Sequence, residues 1–183
     1  DDNSEDETAA LVTEFIKDKP QFELIKIVPD FTAVRELQSR AKPFTNKLKG
    51  KPNVLTQLAH HATGEYLFFT DADIEVPADW IQNMLHHFKA NVGVVTGITT
   101  MKTNKFPLWG LGGFQALEWL YYLSIMRLLA LFNIPLTAMG NNMAVTRKAY
   151  DAVGGYENIP FSITEDYALF RAILDKGFRF IQL

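Results

Sequence analysis

Cysteine is absent from the 183-residue sequence, which excludes disulfides and thiolate-bound metals and leaves the redox compartment undetermined. An excess of positive charge is missing too. The formal net charge is −3, and no basic run with interleaved aromatics marks a nucleic-acid surface, so no nucleic-acid partner is expected. No stretch supplies the ~20 uninterrupted apolar residues of a transmembrane helix. The most apolar region, Phe106 to Leu136, is broken by Glu118 and Arg127 and reads as a long, largely buried helix; its Trp and Leu content also suits a helix lying in a membrane interface. No signal peptide, internal repeat or low-complexity segment is visible. What remains is 48% apolar and 21% charged residues, enough for one domain with a real core. Both ends read as cut: Asp1-Asp2-Asn3-Ser4 has no strand in front, and Phe178 to Leu183 reads as a strand without a sequel. The chain is therefore expected to be a piece of a longer protein.

The pattern turns on Glu65-Tyr66-Leu67-Phe68-Phe69-Thr70-Asp71-Ala72-Asp73. Four consecutive apolar residues, three of them aromatic, read as a strand buried on both faces. It runs into two carboxylates one residue apart. Side chains alternate along extended chain, so Asp71 and Asp73 are expected to project to one side at the strand's end. Ligands of open α/β sheets bind at the carboxyl ends of strands, and hard oxygen donors there suit magnesium or manganese. The plainer reading is that the pair caps a turn, as Asp often does.

Around this stretch, periodicity places the other elements. Ser4 and Glu7 fit a capping box before a helix from Glu5 to Asp18, and Glu23 to Val28 reads as a strand. Phe31 to Gly50, with several lysines and no sustained apolar stripe, reads as an exposed connection. Val54, Leu55, Leu58, Ala59 and Ala62 mark an amphipathic helix closed by Gly64 as C-cap. Pro77 opens the next helix, whose stripe is Trp80, Ile81, Met84, Leu85 and Phe88. Val92 to Thr100 is β-branched and fits a strand. Met143 to Val145 is a short strand, Arg147 to Val153 a helix stopped by Gly154-Gly155, Phe161 to Thr164 a loop, and Glu165 to Lys176 a helix ended by Gly177. Strands alternating with helices at this spacing mean an α/β layered fold.

Acidic clusters fall near predicted ends of strands or starts of helices: Asp1-Asp2, Asp71 with Asp73, and Glu165-Asp166. A fold that gathers strand ends on one edge brings such carboxylates around one cleft. One or two can then bind metal while another moves a proton, the arrangement of a metal-assisted transfer from a diphosphate.

The residues Asp1-Asp2-Asn3-Ser4-Glu5-Asp6-Glu7-Thr8, Gly50-Lys51 before an Asn-Val-Leu helix, and Gly64-Glu65-Tyr66 leading to Asp71-Ala72-Asp73 resemble the inverting glycosyltransferase family 2. Gly140-Asn141-Asn142-Met143-Ala144-Val145-Thr146-Arg147, Gly154-Gly155-Tyr156 and Thr164-Glu165-Asp166 match the same family's acceptor-side half. The resemblance covers nearly the whole chain in the family's order. It implies a GT-A-like (Rossmann-like) layered α/β/α fold with a mostly parallel central sheet, whose first strand is missing from this sequence. It implies a single domain over residues 1–183, with a nucleotide-binding half at 1–100 and an acceptor-binding half at 101–183. The partners implied are a nucleotide-diphospho-sugar donor, preferably uridine-based, and a carbohydrate or lipid acceptor, with a divalent metal (Mg or Mn) as cofactor. By position, Asp2 binds the base, Lys51 lies near the nucleotide, Asp71 meets the ribose or the metal's shell, and Asp73 coordinates the metal. Asp166 is the general base, with Glu165 beside it, and Gly140 and Asn141 shape the floor under donor sugar and acceptor. The resemblance places such a protein in the cytoplasm or on the cytoplasmic side of a membrane, with membrane association through segments outside this chain. The Gln-x-x-Arg-Trp segment of processive members is absent from this sequence.

Other readings compete. Asp166 falls in the first turn of a helix, where a carboxylate is stabilised by the helix dipole without catalytic duty. Asp2 can equally start a helix, and Lys51 can be a solvated lysine. Neighbours on a helix point ~100° apart, so His60-His61 and His86-His87 chelate poorly and read as surface residues. Trp109, Trp119, Tyr121 and Tyr122 suit stacking on an acceptor, but suit core or interface packing better. As whole functions, a phosphatase or phosphotransferase of the haloacid-dehalogenase type also uses strand-Asp-x-Asp. It wants Thr or Val two residues past the second Asp, where this chain has Glu75. A nucleotide-sugar-binding module without turnover is the remaining alternative.

Overall fold

The computed structural model describes residues 1–29, 48–101, 111–132, 134–136, 138–160 and 162–183. Most of the expected connection between Phe31 and Gly50, the start of the apolar region with Trp109, and Phe161 lie outside the described residues. Two compact units are formed: one from Asp1–Thr63 with Tyr156–Phe161, the other from Gly64–Gly155 with Ser162–Leu183.

In the first unit, helix α1 spans Thr8–Ile16, shorter than the expected Glu5 to Asp18, and buries none of its residues. The capping box does not form. Ser4 turns back to Asp1, whose carboxylate accepts from both its N–H and its hydroxyl, and Asp6 Oδ1 takes the Thr8 N–H at 3.0 Å. Residues 23–28 are not a strand. They share one parallel-type rung with Asp1, through Asp1 N to Ile25 O (2.6 Å) and Ile27 N to Asp1 O (3.0 Å). At Val28 side-chain amides replace a neighbouring strand: Gln57 accepts from Val28 N (3.0 Å) and donates to Val28 O (2.8 Å), and Asn53 also donates to Val28 O (3.2 Å).

Those amides belong to helix α2, Lys51–His61, which Gly50 opens at φ +60°, a conformation open to glycine. The face α2 buries is Asn53, Thr56, Gln57 and Ala59, while Leu58 is 40% exposed. Of the expected apolar stripe only Ala59 is buried; Val54 and Leu55 are half-buried and Leu58 and Ala62 exposed, because two amides that each satisfy backbone groups outweigh one leucine. Gly64 does not cap this helix. The chain leaves through Ala62 in extended geometry, and Gly64 instead offers its carbonyl to Arg147 Nε at 3.3 Å.

The second unit is built on a sheet of β1 (Tyr66–Phe69), β2 (Val92–Thr96), β3 (Met143–Thr146) and β4 (Arg179–Gln182), ordered β1-β3-β2-β4. β3 pairs antiparallel with β1 and β2, and β2 pairs parallel with β4. Three strands thus share one direction, and β3 runs against them. This is the layered, mostly parallel α/β arrangement expected. β1 lies at an edge of the described sheet, and Tyr66 is exposed. The expectation that this strand is buried on both faces is met only in part: Leu67 is buried and Phe68 and Phe69 are half-buried, but Tyr66 is exposed. β2 stops at Thr96 rather than continuing to Thr100.

Helix α3 (Trp80–Leu85) packs Met84 with Val92, Val95 and Ala144, flanked by Phe68 and Trp80. On the other layer lie two helices whose stops the glycines predict. With Leu111–Leu131 as α4, α5 (Arg147–Val153) ends at Gly154, φ +76°, and α6 (Glu165–Asp175) is followed by Gly177, φ +84°. Leu169, Phe170 and Ile173 of α6 are fully buried, and a Cβ at Gly93 would come within 2.8–3.0 Å of Phe178, Ile173 and Ala149. Helix and sheet meet there with no room for a side chain.

Helix α4, Leu111–Leu131, overturns another expectation. Leu123 is buried, but Phe114, Tyr121 and Leu131 are each about two-thirds exposed at 69, 68 and 65%. The long helix is not largely buried. It is apolar nearly all round, so its sequence cannot specify which face meets the sheet. Among the described residues no helix is long and apolar enough to cross a membrane.

Candidate functional site

Direction along the sheet decides what meets at its carboxyl edge. Met143, the first residue of β3, pairs with both Phe69, the last of β1, and Thr96, the last of β2. Running β3 backwards therefore delivers the segment before it, Gly140-Asn141-Asn142, to the place where β1 and β2 end. Helix α6 enters from the same edge, because its far end turns through Gly177 into the start of β4, which is parallel to β2.

Beyond β1 the chain turns at Asp71, whose carbonyl accepts from Ile74 N at 3.2 Å. Asp73 to Pro77 and Trp80 then form one wall of a cleft of about 1000 Å³. Ile98 to Met101 beyond β2, Trp119 of α4, and Asn141 with Asn142 form the rest. Asp73 is exposed on this wall, whereas Asp71 is half-buried and does not line it.

The single turn of 3-10 helix at Gly140–Asn142 binds three elements. Gly140 N donates to Asp166 Oδ2 at 2.8 Å. Asn141 Oδ1 accepts from the Thr99 hydroxyl at 3.1 Å, and Thr99 O accepts the Trp119 indole N–H at 2.7 Å. Asn142 Oδ1 accepts the Trp80 indole N–H at 2.9 Å, and its amide donates to Ile98 O at 3.2 Å. Because both indole N–H groups are engaged by the protein, the two rings offer the cleft apolar surface. Asp166 Oδ1 also takes the Tyr167 N–H at 2.7 Å. Glu165 precedes it in the first turn of α6.

Of the residues singled out from sequence, this edge brings together Asp73, Gly140, Asn141 and Asp166. Asp2 and Lys51 belong to the first unit, Asp2 exposed and Lys51 the first residue of α2. Trp119 lines the cleft and stacks with Tyr122 at 6.0 Å, whereas Tyr121 is exposed and is not part of the core. His60 lies 2.9 Å from Glu157 within the first unit. Sequence reasoning passed over Trp80, Gly97, Thr99 and Asn142. The signal for Asn142 was within reach: a second Asn beside Gly140-Asn141, at the start of a strand.

A metal's fit rests on the donor set. Among the described residues no group of three or more His, Asp or Glu gathers. Magnesium, however, uses one or two carboxylates alongside substrate phosphates and water. Asp73, exposed on an open wall, is one carboxylate of that kind, whereas Asp71 does not line the cleft.

Comparison with known proteins decides the class. A family model described as glycosyl transferase family 21 matches residues 2–181. The chain belongs to glycosyl transferase family 21. The motifs resemble family 2, which is a different family, so the resemblance reached the enzyme class and not the family. Solved structures share the GT-A-like fold of this family 21 chain. One is a mannosyltransferase, PcManGT from Pyrobaculum calidifontis in complex with GDP-Man and Mn2+, at TM-score 0.62 and 21% identity, covering 100% of this chain and 44% of that one. Another is glucosyl-3-phosphoglycerate synthase from Mycobacterium tuberculosis in complex with UDP, at TM-score 0.51 and 14% identity, covering 100% and 56%. A further one is a mycobacterial protein at TM-score 0.56, 18% identity, 100% and 53% coverage. The family 21 chain thus spans about half the length of these structures. A search of curated proteins finds no match.

Proposed function

We propose that this domain transfers a sugar from a nucleotide-diphospho-sugar to an acceptor hydroxyl with inversion, and that Asp166 is the general base. The observation that carries the reading is the position of the Asp166 carboxylate. It is tied to Gly140 N–H, and the next two residues line the cleft that contains Asp73. A carboxylate has about four lone-pair sites, so two backbone donors leave each oxygen free to accept from an incoming hydroxyl. In the proposed step the acceptor proton passes to Asp166 and the acceptor oxygen bonds the anomeric carbon. The bond from that carbon to the phosphate oxygen breaks, and its electron pair leaves on the nucleoside diphosphate. Asp73, with Asp71, would hold a divalent cation, which when bound offsets charge on the leaving diphosphate. Glu165 stands beside the base, while Asp2 and Lys51 are proposed to meet the base and phosphates of the donor. Residues 1–100 and 101–183 are proposed to serve mainly donor and acceptor. A carbohydrate or lipid acceptor, a cytoplasmic or cytoplasmic-membrane setting, and membrane association through other segments complete the proposal.

Support comes from the family and from relatives whose structures hold GDP-Man with Mn2+ or UDP. The test is a thermal melt of the full-length protein with UDP or GDP, each with Mn2+, followed by transfer from UDP-glucose and GDP-mannose. One nucleotide should raise Tm, and Asp73→Ala should abolish the rise. Asp166→Asn should keep the rise and lower transfer about 10²- to 10⁴-fold. Full transfer by Asp166→Asn would refute the base.

A further inference from the structure

We infer that Gly140 is a positioning residue that acts through Asp166 and not through contact with the donor sugar. The inference rests on the reading of Asp166 as general base. Two observations meet at this position. The Gly140 N–H donates to Asp166 Oδ2 at 2.8 Å. A Cβ placed on Gly140 would come to 2.7 Å from Asp166 Cβ, 2.8 Å from its Oδ2 and 3.1 Å from its Cγ. The Asp166 side chain, from Cβ to carboxylate, therefore occupies the volume where any other residue's side chain would begin. Gly140 has no positive φ, so its backbone conformation does not demand glycine. The demand comes from the close approach alone.

Glycine does two things here. Its N–H fixes which lone pair of Oδ2 is engaged, leaving the others to accept from an incoming hydroxyl. Its missing side chain lets the start of α6 approach the turn. The second donor, Tyr167 N–H on Oδ1, comes from α6 itself and moves with Asp166. Gly140 is thus the bond that registers the base against the cleft. A displacement near 1 Å can cost about 100-fold in rate, and an alanine methyl displaces the carboxylate by a distance of that order.

The experiment is a double-mutant cycle in the full-length protein with Mn2+ and whichever of UDP-glucose or GDP-mannose proves to be the donor. Gly140→Ala should lower kcat about 100-fold while donor KM and nucleotide Kd stay within about twofold. Adding Gly140→Ala to Asp166→Asn should cause little further loss, because residues acting as a unit are not additive. A loss carried by donor KM, an unchanged kcat, or full additivity would each overturn the inference. Full transfer by Asp166→Asn would instead remove the base reading beneath it. Stability supplies a readout independent of turnover. Gly140→Ala should lower Tm by several degrees in the natural background and hardly at all in Asp166→Gly, where the Cβ, Cγ and Oδ2 it would meet are all gone. An equal drop in both backgrounds overturns the close-approach argument, and a Gly140→Ala protein that folds only with Asp166→Gly supports it.

Discussion

Asn142 offers the sharpest test of the cleft's construction, because its side chain sits where a Cβ on Gly97 would be. An added Cβ at Gly97 would overlap Nδ2, Oδ1 and Cγ of Asn142. That amide meanwhile accepts the part-buried Trp80 N–H and donates to Ile98 O. Asn142→Ala removes two hydrogen bonds worth about 1 kcal/mol each. The expected cost is therefore about 2 kcal/mol. Gly97→Ala forces the amide out, losing the same bonds and adding overpacking, for about 3 kcal/mol in all. In the double variant the new methyl enters space the amide has left, and the total should remain near 2–3 kcal/mol instead of reaching their sum. The coupling is then about 2 kcal/mol or more. With a urea slope of about 2 kcal/mol per molar, it appears as a midpoint some 1 M higher than additivity predicts. Costs that add within about 0.5 kcal/mol would show that the amide does not fill this space, and the account of the cleft wall would fail.

Gln57→Leu should destabilise the protein by about 2 kcal/mol, since the leucine's burial only partly offsets the bonds lost at Val28 and Asn53; a neutral result in urea would refute the amide clamp. The Asp6 carboxyl is held below the usual 3.8 of aspartate by hydrogen bonds from the Thr8 side chain and then its backbone N–H. A depressed folded value gives stability that is present above pH 3.8 and lost as pH falls through the folded value. Thr8→Ala should move the Asp6 titration upward in a carboxyl NMR titration, and no movement would remove the side-chain contribution. Trp119→Phe should cost about 1 kcal/mol and speed amide exchange in α4 more than in β2 or β3, because its N–H to Thr99 O is a polar tie for a helix with much of its surface in water.

The parts of this protein that announce themselves in sequence are those governed by a local rule. Gly154 and Gly177 stop helices because few other residues take a positive φ, and both stops fall where expected. Val92 to Thr96 and Met143 to Thr146 are strands as their composition suggests. Failures cluster where a partner distant in sequence decides. Val54, Leu55 and Leu58 made the better stripe on α2, yet Asn53 and Gln57 are buried because they meet Val28. The capping box fails for a local reason instead: Asp1, three residues before Ser4, competes for it. Around the cleft, motif order pointed to Asp73, Gly140, Asn141 and Asp166. Trp80 and Thr99 left no comparable signal, because their roles are bonds to a turn more than 40 residues away.

That turn explains why one strand in the sheet must run against the rest. Were β3 parallel to β1 and β2, the residues before it would emerge at the opposite edge, and Gly140 could not reach the start of α6. Inserted antiparallel, with Met143 level with Phe69 and Thr96, β3 places three consecutive residues among three separate elements. Gly140 holds the start of α6, Asn141 the segment after β2, and Asn142 both that segment and α3. The strand contributes rigidity as well, since Met143, Ala144 and Val145 are fully buried. A site assembled on the end of such a strand inherits the stability of the core, whereas the same residues on a long loop would have to be ordered by substrate at an entropic cost. The chemistry proposed for Asp166 needs that economy, because a base that accepts a proton in one step must already be aimed when the acceptor arrives.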